Sequence, residues 1–249
     1  MCRRGNAGLY VSQVRDSRGR RVSARWILRV LGDRHGGSNI RSMYTFANAA
    51  ARLRPGTHRR GGLWVLPSLW LMTDAVRMED PVAAVLRLPR GSGVILRHTD
   101  PARLRALAEI LVPLCRRRRV MCLIAGDWRL AARLKADGVH LPERMARYGT
   151  VAATLLWRRQ SGHVLTTAAH GLRAMVDGVR LKTDAILLAP VFTTASHPRT
   201  RTLGAVRFTA LVRQVSCPVL ALGGITAGTI KRLTASGASG IAGISWNVN

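Results

Sequence analysis

One unit recurs through most of this chain: a short, near-continuous apolar run, followed by a stretch whose apolar residues have helical spacing. Such runs are typical of strands buried on both faces, as in a parallel sheet covered by helices. Eight units in about 180 residues predict an α/β protein with a compact (β/α)8 TIM barrel. The alternative is an open, doubly wound sheet, whose dinucleotide-binding form has no support because no GxGxxG follows a strand. The predicted strands are residues 69–73, 94–97, 120–125, 138–141, 164–167, 185–189, 219–222 and 240–244.

The chain before the barrel has a different character. Residues 1–62 carry arginines set among glycines, with few apolar residues in register, although 42–53 contains better helix formers. We therefore expect a basic, disordered N-terminal extension and linker over 1–62, and the barrel over 63–249. Because the chain stops soon after the last predicted strand, little or no eighth helix is expected.

The charge balance is strongly basic, with 40 Lys and Arg against 12 Asp and Glu and a net charge of +28. Such a charge raises nucleic acid as a partner. Nearly all of it is arginine, however, it is spread along the chain, and aromatic residues for base stacking make up only 5%. We therefore predict that nucleic acid is not the main partner.

The four cysteines, Cys2, Cys115, Cys122 and Cys217, form no CxxC pair and no zinc spacing. Cys122 and Cys217 sit in apolar runs, as buried free thiols do, which fits a reducing cytoplasm. No stretch approaches the length of a membrane helix, so no membrane partner is expected. The pattern leaves the oligomeric state open.

In a (β/α)8 barrel the active site lies at the C-terminal ends of the strands. Gly223 and Gly224 close strand seven, and Ser245 follows strand eight, which together predict a phosphate site. A glycine-rich turn needed only for packing is the alternative. Thr194, Ser196 and His197, with Arg199, could donate hydrogen bonds to a second anion from the loop after strand six, unless this is simply a solvated surface loop.

Two further side chains are candidates for chemistry. Arg97 ends an apolar strand, where a charge is costly unless it is paired or faces a ligand. It could bind an anion or form a salt bridge to Asp127. His170, after strand five, is a candidate general acid or base, with a structural role as the alternative. His140 is expected to belong to the barrel packing.

Several segments together resemble one family. They are LWLMTD (69–74), VILR (94–97), ADGVHL (136–141), APVFTT (189–194), LG (203–204), PVLALGGIT (218–226) and GASGIA (237–242). In order and spacing they are similar to the strand motifs of the thiamine phosphate synthase and thiazole tautomerase family, over about residues 63–246.

The resemblance implies the synthase reaction, in which a pyrimidine methyl pyrophosphate loses pyrophosphate and is joined to a thiazole phosphate, with Mg²⁺ bridging the pyrophosphate. Gly223, Gly224 and Ser245 match the thiazole phosphate pocket of the family. Arg97 matches the arginine that contacts the pyrophosphate, and Thr194 and Ser196 match the hydroxyl-rich loop over it.

The chain departs from the family at the metal and pyrophosphate end. The Gln-x-Arg-x-Lys pattern reads Ile-Leu-Arg-His-Thr over 95–99, and the family lysine of the strand-six loop is His197. Both family metal carboxylates fall on Gly126 and Met145, which puts Mg²⁺ in doubt. Asp127 or Glu143 is left as a substitute ligand.

These departures keep three functions open. The first is a divergent thiamine phosphate synthase. The second is a metal-independent thiazole tautomerase, since tautomerases of this family use a histidine after strand five, where His170 stands. The third is a non-catalytic binder of a phosphate ligand or of nucleic acid.

Overall fold

Eight parallel strands close into a barrel in the order of the chain, so each strand pairs with its sequence neighbours and β1 pairs with β8. The computed structural model describes residues 37–53, 65–149, 151–194 and 201–244. The strands are β1 Leu69–Met72, β2 Gly93–Leu96, β3 Met121–Ala125, β4 Gly138–Leu141, β5 Val164–Ala169, β6 Ala185–Leu188, β7 Val219–Leu222 and β8 Gly240–Gly243. The predicted (β/α)8 barrel is confirmed, and no strand end differs from its predicted position by more than two residues.

Helices alternate with the strands and cover the outside of the barrel. They are α1 Gly37–Ala51, α2 Pro81–Arg87, α3 Pro101–Arg118, α4 Trp128–Leu134, α5 Glu143–Tyr148, α6 Ala152–Ser161, α7 Leu172–Arg180 and α8 Gly204–Val212. Between β7 and β8 the chain forms a short 3₁₀ helix, Ile230–Leu233. The side chains of Asp100 and Asp127 accept backbone N–H groups at the starts of α3 and α4, as N-cap residues do.

Apolar side chains fill the interior of the barrel near the N-terminal ends of its strands. Trp70 from β1 crosses toward β2, where its ring occupies the space that a Cβ on Gly93 would need. The indole N–H donates to the carbonyl of Pro67 at 2.7 Å, so the buried ring has its polar atom satisfied. Leu123, Leu187 and other apolar residues pack around it. These side chains fill the barrel toward the N-terminal ends of the strands. A site is therefore expected at the opposite end, the mouth formed by the C-terminal ends of the strands.

Helix α1 corrects part of the prediction for the N-terminal extension. Phe46, Ala50 and Leu53 are buried in the main core, and the helix packs against β1 and β8. Phe46 and Ala50 are four residues apart, which places them on one face of the helix, and Leu53 follows just beyond its end; this apolar face is the physical reason for docking. Part of the extension predicted as disordered is thus a packed helix, Gly37–Ala51, followed by the buried Leu53, while residues 1–36 and 54–64 lie outside the described residues.

The cysteines and the lengths of the helices can also be compared with the sequence predictions. Cys122 is a buried free thiol, as predicted, and so is Cys115, whereas Cys217, also predicted to be buried, is a half-buried free thiol. In the part of the chain that the structure describes, no helix combines the length and apolar character needed to cross a bilayer.

Candidate active site

Arg97 stands at the mouth of the barrel, directly after β2, and its backbone is locked to β1. The buried hydroxyl of Thr73 accepts the Arg97 N–H at 2.8 Å and donates to the Arg97 carbonyl at 2.9 Å. This double hydrogen bond fixes the point from which the side chain leaves the strand. The side chain itself is 48% exposed, so its guanidinium is accessible to a ligand.

Among the described residues, the carboxylate that contacts Arg97 is Asp74, at 3.7 Å from the guanidinium, and not Asp127, which the sequence offered as the salt-bridge partner. Asp74 bonds more closely to Arg77, at 2.8 Å. That hydrogen bond is the main reason why the pKa of Asp74 falls to about 2; burial opposes the shift, and the backbone N–H groups of Arg77 and Val76 add to it. Asp74 is therefore ionised at neutral pH, with its charge directed mainly to Arg77.

His170 and Glu143 form a hydrogen-bonded pair that the sequence analysis missed. The Nδ1 atom of His170 lies 2.7 Å from Oε2 of Glu143, and the same oxygen accepts the His170 backbone N–H at 2.8 Å. Arg147 contacts the other Glu143 oxygen at 3.2 Å. Burial raises the pKa of Glu143, but the bonds from His170 and Arg147 outweigh it and hold the pKa below its usual value. An ionised Glu143 makes Nδ1 the donor and leaves Nε2 of a neutral ring as a proton acceptor.

His140 belongs to the barrel packing, as expected. It is fully buried, and its Nδ1 lies 2.9 Å from the hydroxyl of Thr166 on the next strand. Burial lowers its pKa to about 3, with the charge of Arg97 as a smaller cause. The ring is therefore neutral at physiological pH and adds no charge beneath the mouth.

The structure brings together Gly126 and Met145, the two positions that the resemblance matches to metal carboxylates, but neither residue is a carboxylate. The sulfur of Met145 lies 3.8 Å from the point that a Cβ on Gly126 would occupy. Oδ1 of Asp127, the predicted substitute ligand, accepts the Leu130 N–H at 2.9 Å as a helix cap. Over the described ranges, no group of three His, Cys, Asp or Glu side chains could hold a metal ion. Since Mg²⁺ prefers carboxylate oxygens, the described residues do not fit a magnesium site.

Gly223 and Gly224 have a structural reason for being glycine. Their φ angles are +97° and +65°, and a Cβ on Gly224 would stand 2.7 Å from the backbone oxygen of Phe192. The turn after β7 therefore lies directly against the loop after β6, where the Phe192 N–H donates to Gly223 at 3.0 Å. Close packing explains both glycines, and a phosphate site at this turn stays a prediction.

The remaining predicted site residues are described only in part. Thr194 lies at the end of the described part of the loop after β6. Ser196, His197, Arg199 and Ser245 lie outside the described residues. The roles assigned to all four, and to Thr194, stay predictions.

Comparisons with known proteins identify the family. The sequence profile of the TMP-TENI family, described as thiamine monophosphate synthase, matches residues 73–246. A curated protein of Aquifex aeolicus, provisionally assigned as thiamine-phosphate synthase 2, is 32% identical over 185 residues, covering 72% of this chain and 97% of that protein. The thiamine-phosphate synthase of Salinispora arenicola is 31% identical over 188 residues, covering 72% of this chain and 88% of its own.

A solved structure supports the fold. The thiamine phosphate pyrophosphorylase from Pyrococcus furiosus superposes with a TM-score of 0.57 at 21% identity, covering 70% of this chain and 84% of that one. The likeness confirms the barrel architecture. The predicted family resemblance is confirmed by the profile and the curated relatives, and this chain belongs to the thiamine monophosphate synthase family.

Proposed function

We propose that this protein is a transferase that makes thiamine phosphate from a pyrimidine methyl pyrophosphate and a thiazole phosphate. The observation that carries the proposal is the family match over residues 73–246, together with Arg97, fixed by Thr73 at the barrel mouth where the family binds pyrophosphate. The curated relatives described above bear the name of this activity.

The reaction requires stabilisation of a leaving anion. The bond between the pyrimidine methylene carbon and the pyrophosphate oxygen breaks, and pyrophosphate departs with the electron pair. The thiazole nitrogen then donates its lone pair to the methylene carbon, which forms the new C–N bond. Arg97 stabilises the charge that grows on the pyrophosphate, because a guanidinium held in place by the backbone needs little reorganisation as the bond breaks.

The second substrate must be held with its nitrogen toward the methylene carbon. We assign its phosphate to the Gly223-Gly224 turn and Ser245, the loops that bind phosphate in many barrels of this class. Anchoring the phosphate orients the thiazole ring and lowers the entropic cost of the encounter. Thr194, Ser196 and His197 are proposed to donate hydrogen bonds to the pyrophosphate from the loop after β6.

No step of the proposed reaction uses magnesium. The resemblance implies magnesium at the pyrophosphate, but the two carboxylate positions it implies are Gly126 and Met145 here, and Asp127 caps a helix. The charge of the leaving group must therefore be met by cationic side chains of the protein.

The His170–Glu143 pair favours a second candidate, the thiazole tautomerase. Its 2.7 Å hydrogen bond orients His170 as a site of proton transfer at a thiazole carboxylate. The comparisons do not favour this activity, since the relatives described above are named as synthases. The tautomerase activity is tested with the same purified full-length protein that is used for the synthase assay, and with the variants His170→Ala and Glu143→Gln.

The test is product formation by the full-length chain. The protein is incubated with both substrates in EDTA and, separately, in Mg²⁺, and thiamine phosphate is measured. We expect product that requires Arg97, with a loss of about 10²- to 10³-fold in Arg97→Ala. Arg213→Ala, an exposed arginine after α8 at the opposite end of the barrel, is the matched control and is expected to keep full activity. Absence of product under both conditions would refute the synthase proposal.

A further inference from the structure

A cavity of about 560 Å³ lies between α3 and α4, beside the C-terminal ends of β2 and β3. Its charged and polar wall is formed by His98, Arg105, Arg129, Arg133 and Asp127, with Gly126 on the β3 side. The volume falls within the range of cavities that hold small organic ligands. We call the space lined by these residues the arginine cavity.

The balance of charge in the arginine cavity is positive. Asp127 is its one acidic wall residue, and Oδ1 of that carboxylate already accepts the Leu130 N–H. Arg133 has a carboxylate partner, Glu109, at 3.2 Å. For Arg105 and Arg129, no carboxylate partner is found among the residues that the structure describes.

Arg129 and His98 each contact a neighbouring residue and still have N–H groups available to bind a ligand. The guanidinium carbon of Arg129 lies 4.8 Å from the centre of the Trp128 ring, a cation–π contact that uses none of its hydrogen-bond donors. The Nδ1 atom of His98 accepts the Asp100 N–H at 2.9 Å, so Nε2 carries the ring's proton as a donor.

We propose that the arginine cavity binds a diphosphate group without a metal ion. Guanidinium groups present paired donors that match phosphate oxygens, and several of them can neutralise a multiply charged anion. The cavity borders Gly126, so the position where the family places a metal-binding carboxylate carries no negative charge here. Cations from the helices thus stand beside the place from which the metal ligand is missing.

The identity of the ligand rests on the proposed function, because the substrate that carries a diphosphate there is the pyrimidine methyl pyrophosphate. The cavity accounts for how this chain could recognise that group after losing the carboxylates of the family. It also extends the pyrophosphate-binding surface from Arg97, which follows β2, to side chains on α3 and α4.

The direct test uses inorganic pyrophosphate as the probe. The full-length chain is titrated with pyrophosphate in EDTA by calorimetry, and saturable binding is expected. The double variant Arg105→Gln/Arg129→Gln should bind at least about tenfold more weakly, because two charge-assisted contacts are lost. Arg117→Gln, an exposed arginine on α3 outside the cavity, is the matched control and should bind within about twofold of the unmodified chain.

The outcomes separate this inference from the proposed function. No saturable binding in EDTA, or equal binding by the double variant and the control, overturns the cavity as a diphosphate site even if thiamine phosphate is formed. Weaker binding confined to the double variant supports the cavity even if no thiamine phosphate is formed, and the synthase proposal then fails alone. Thermal unfolding of each variant verifies that the loss of binding is not a loss of fold.

Discussion

The sulfur of Met145 lies 3.8 Å from the point that a Cβ on Gly126 would occupy, although the two residues follow different strands of the barrel. Met145 is on α5 after β4, and Gly126 comes directly after β3. The fold thus keeps two strand ends adjacent, as a two-carboxylate metal site requires, and supplies a thioether and a hydrogen atom in place of the carboxylates. Neither is a ligand that Mg²⁺ prefers.

Placing carboxylates at these two positions should create magnesium binding. We expect Gly126→Asp/Met145→Asp to be stabilised by Mg²⁺, by about 1.4 kcal/mol at ten times its Kd, whereas the unmodified chain is not. The φ angle of +73° at Gly126 makes the aspartate cost about 1 kcal/mol of stability, since a side chain there is strained. Thermal unfolding with and without Mg²⁺ measures both effects. Gly126→Asn/Met145→Asn is the neutral control, and equal Mg²⁺ stabilisation of all three proteins would contradict the interpretation.

The buried hydroxyl of Thr73 should matter for both stability and activity. Thr73→Val keeps the shape of the side chain but leaves the Arg97 N–H without its partner. We expect a loss of about 1–3 kcal/mol in the free energy of unfolding, measured in urea, and a fall in kcat/KM as Arg97 loses its fixed position. Thr73→Ser retains the hydroxyl and should lose much less. Similar losses in both variants would assign the effect to the methyl group instead.

His140 should make the fold sensitive to mild acid. Its native pKa is lowered to about 3 by burial, whereas an unfolded histidine titrates near 6.5. Both states are neutral above that value, so the contribution to stability is complete there. As the pH falls below 6.5 the unfolded state gains a proton that the native state cannot hold, and stability falls by up to about 1.4 kcal/mol per pH unit.

The check is urea unfolding between pH 7 and pH 4.5, for the unmodified chain and for His140→Gln. The glutamine retains a hydrogen-bonding group near Thr166 but does not titrate. We expect a shallower loss of stability in the variant over this window. Parallel slopes would show that the acid sensitivity comes from other groups.

Helix α1 should contribute to the stability of the barrel. Phe46 is 1% exposed within the main core, so Phe46→Ala is expected to cost about 3–5 kcal/mol in the free energy of unfolding. Tyr44→Ala changes an aromatic residue on the same helix that is 53% exposed, and it should cost less than about 0.5 kcal/mol. Chemical denaturation of both variants gives the comparison. A cost at Phe46 no larger than at Tyr44 would mean that the helix does not stabilise the folded protein.

Much of the architecture was predictable because it is encoded locally. The apolar runs that predicted the eight strands coincide with them, since burial on both faces requires near-continuous apolar residues. Asp100 and Pro101 begin α3 for an equally local reason, because a cap and a proline act within one turn. The motifs of the family followed the same order along the chain, and the family profile confirms them.

The contacts that define the site depended on the closed barrel. The segment of helix α1 was expected to be disordered because it lies in a basic, glycine-rich part of the chain. Its buried apolar residues, Phe46, Ala50 and Leu53, gain their packing partners only when β1 and β8 come together in the closed barrel. Asp74, not Asp127, lies closest to Arg97, because β1 and β2 are neighbours and the Asp127 carboxylate is used in capping α4.

The pairing of Glu143 with His170 has the same origin. The two residues are 27 positions apart and meet because β4 and β5 end side by side. Local pattern therefore determined which segments are strands and which residues stand at their ends. The tertiary structure decided which of those ends are adjacent, and side-chain contacts across neighbouring strands follow from that closure and from nothing in the local sequence.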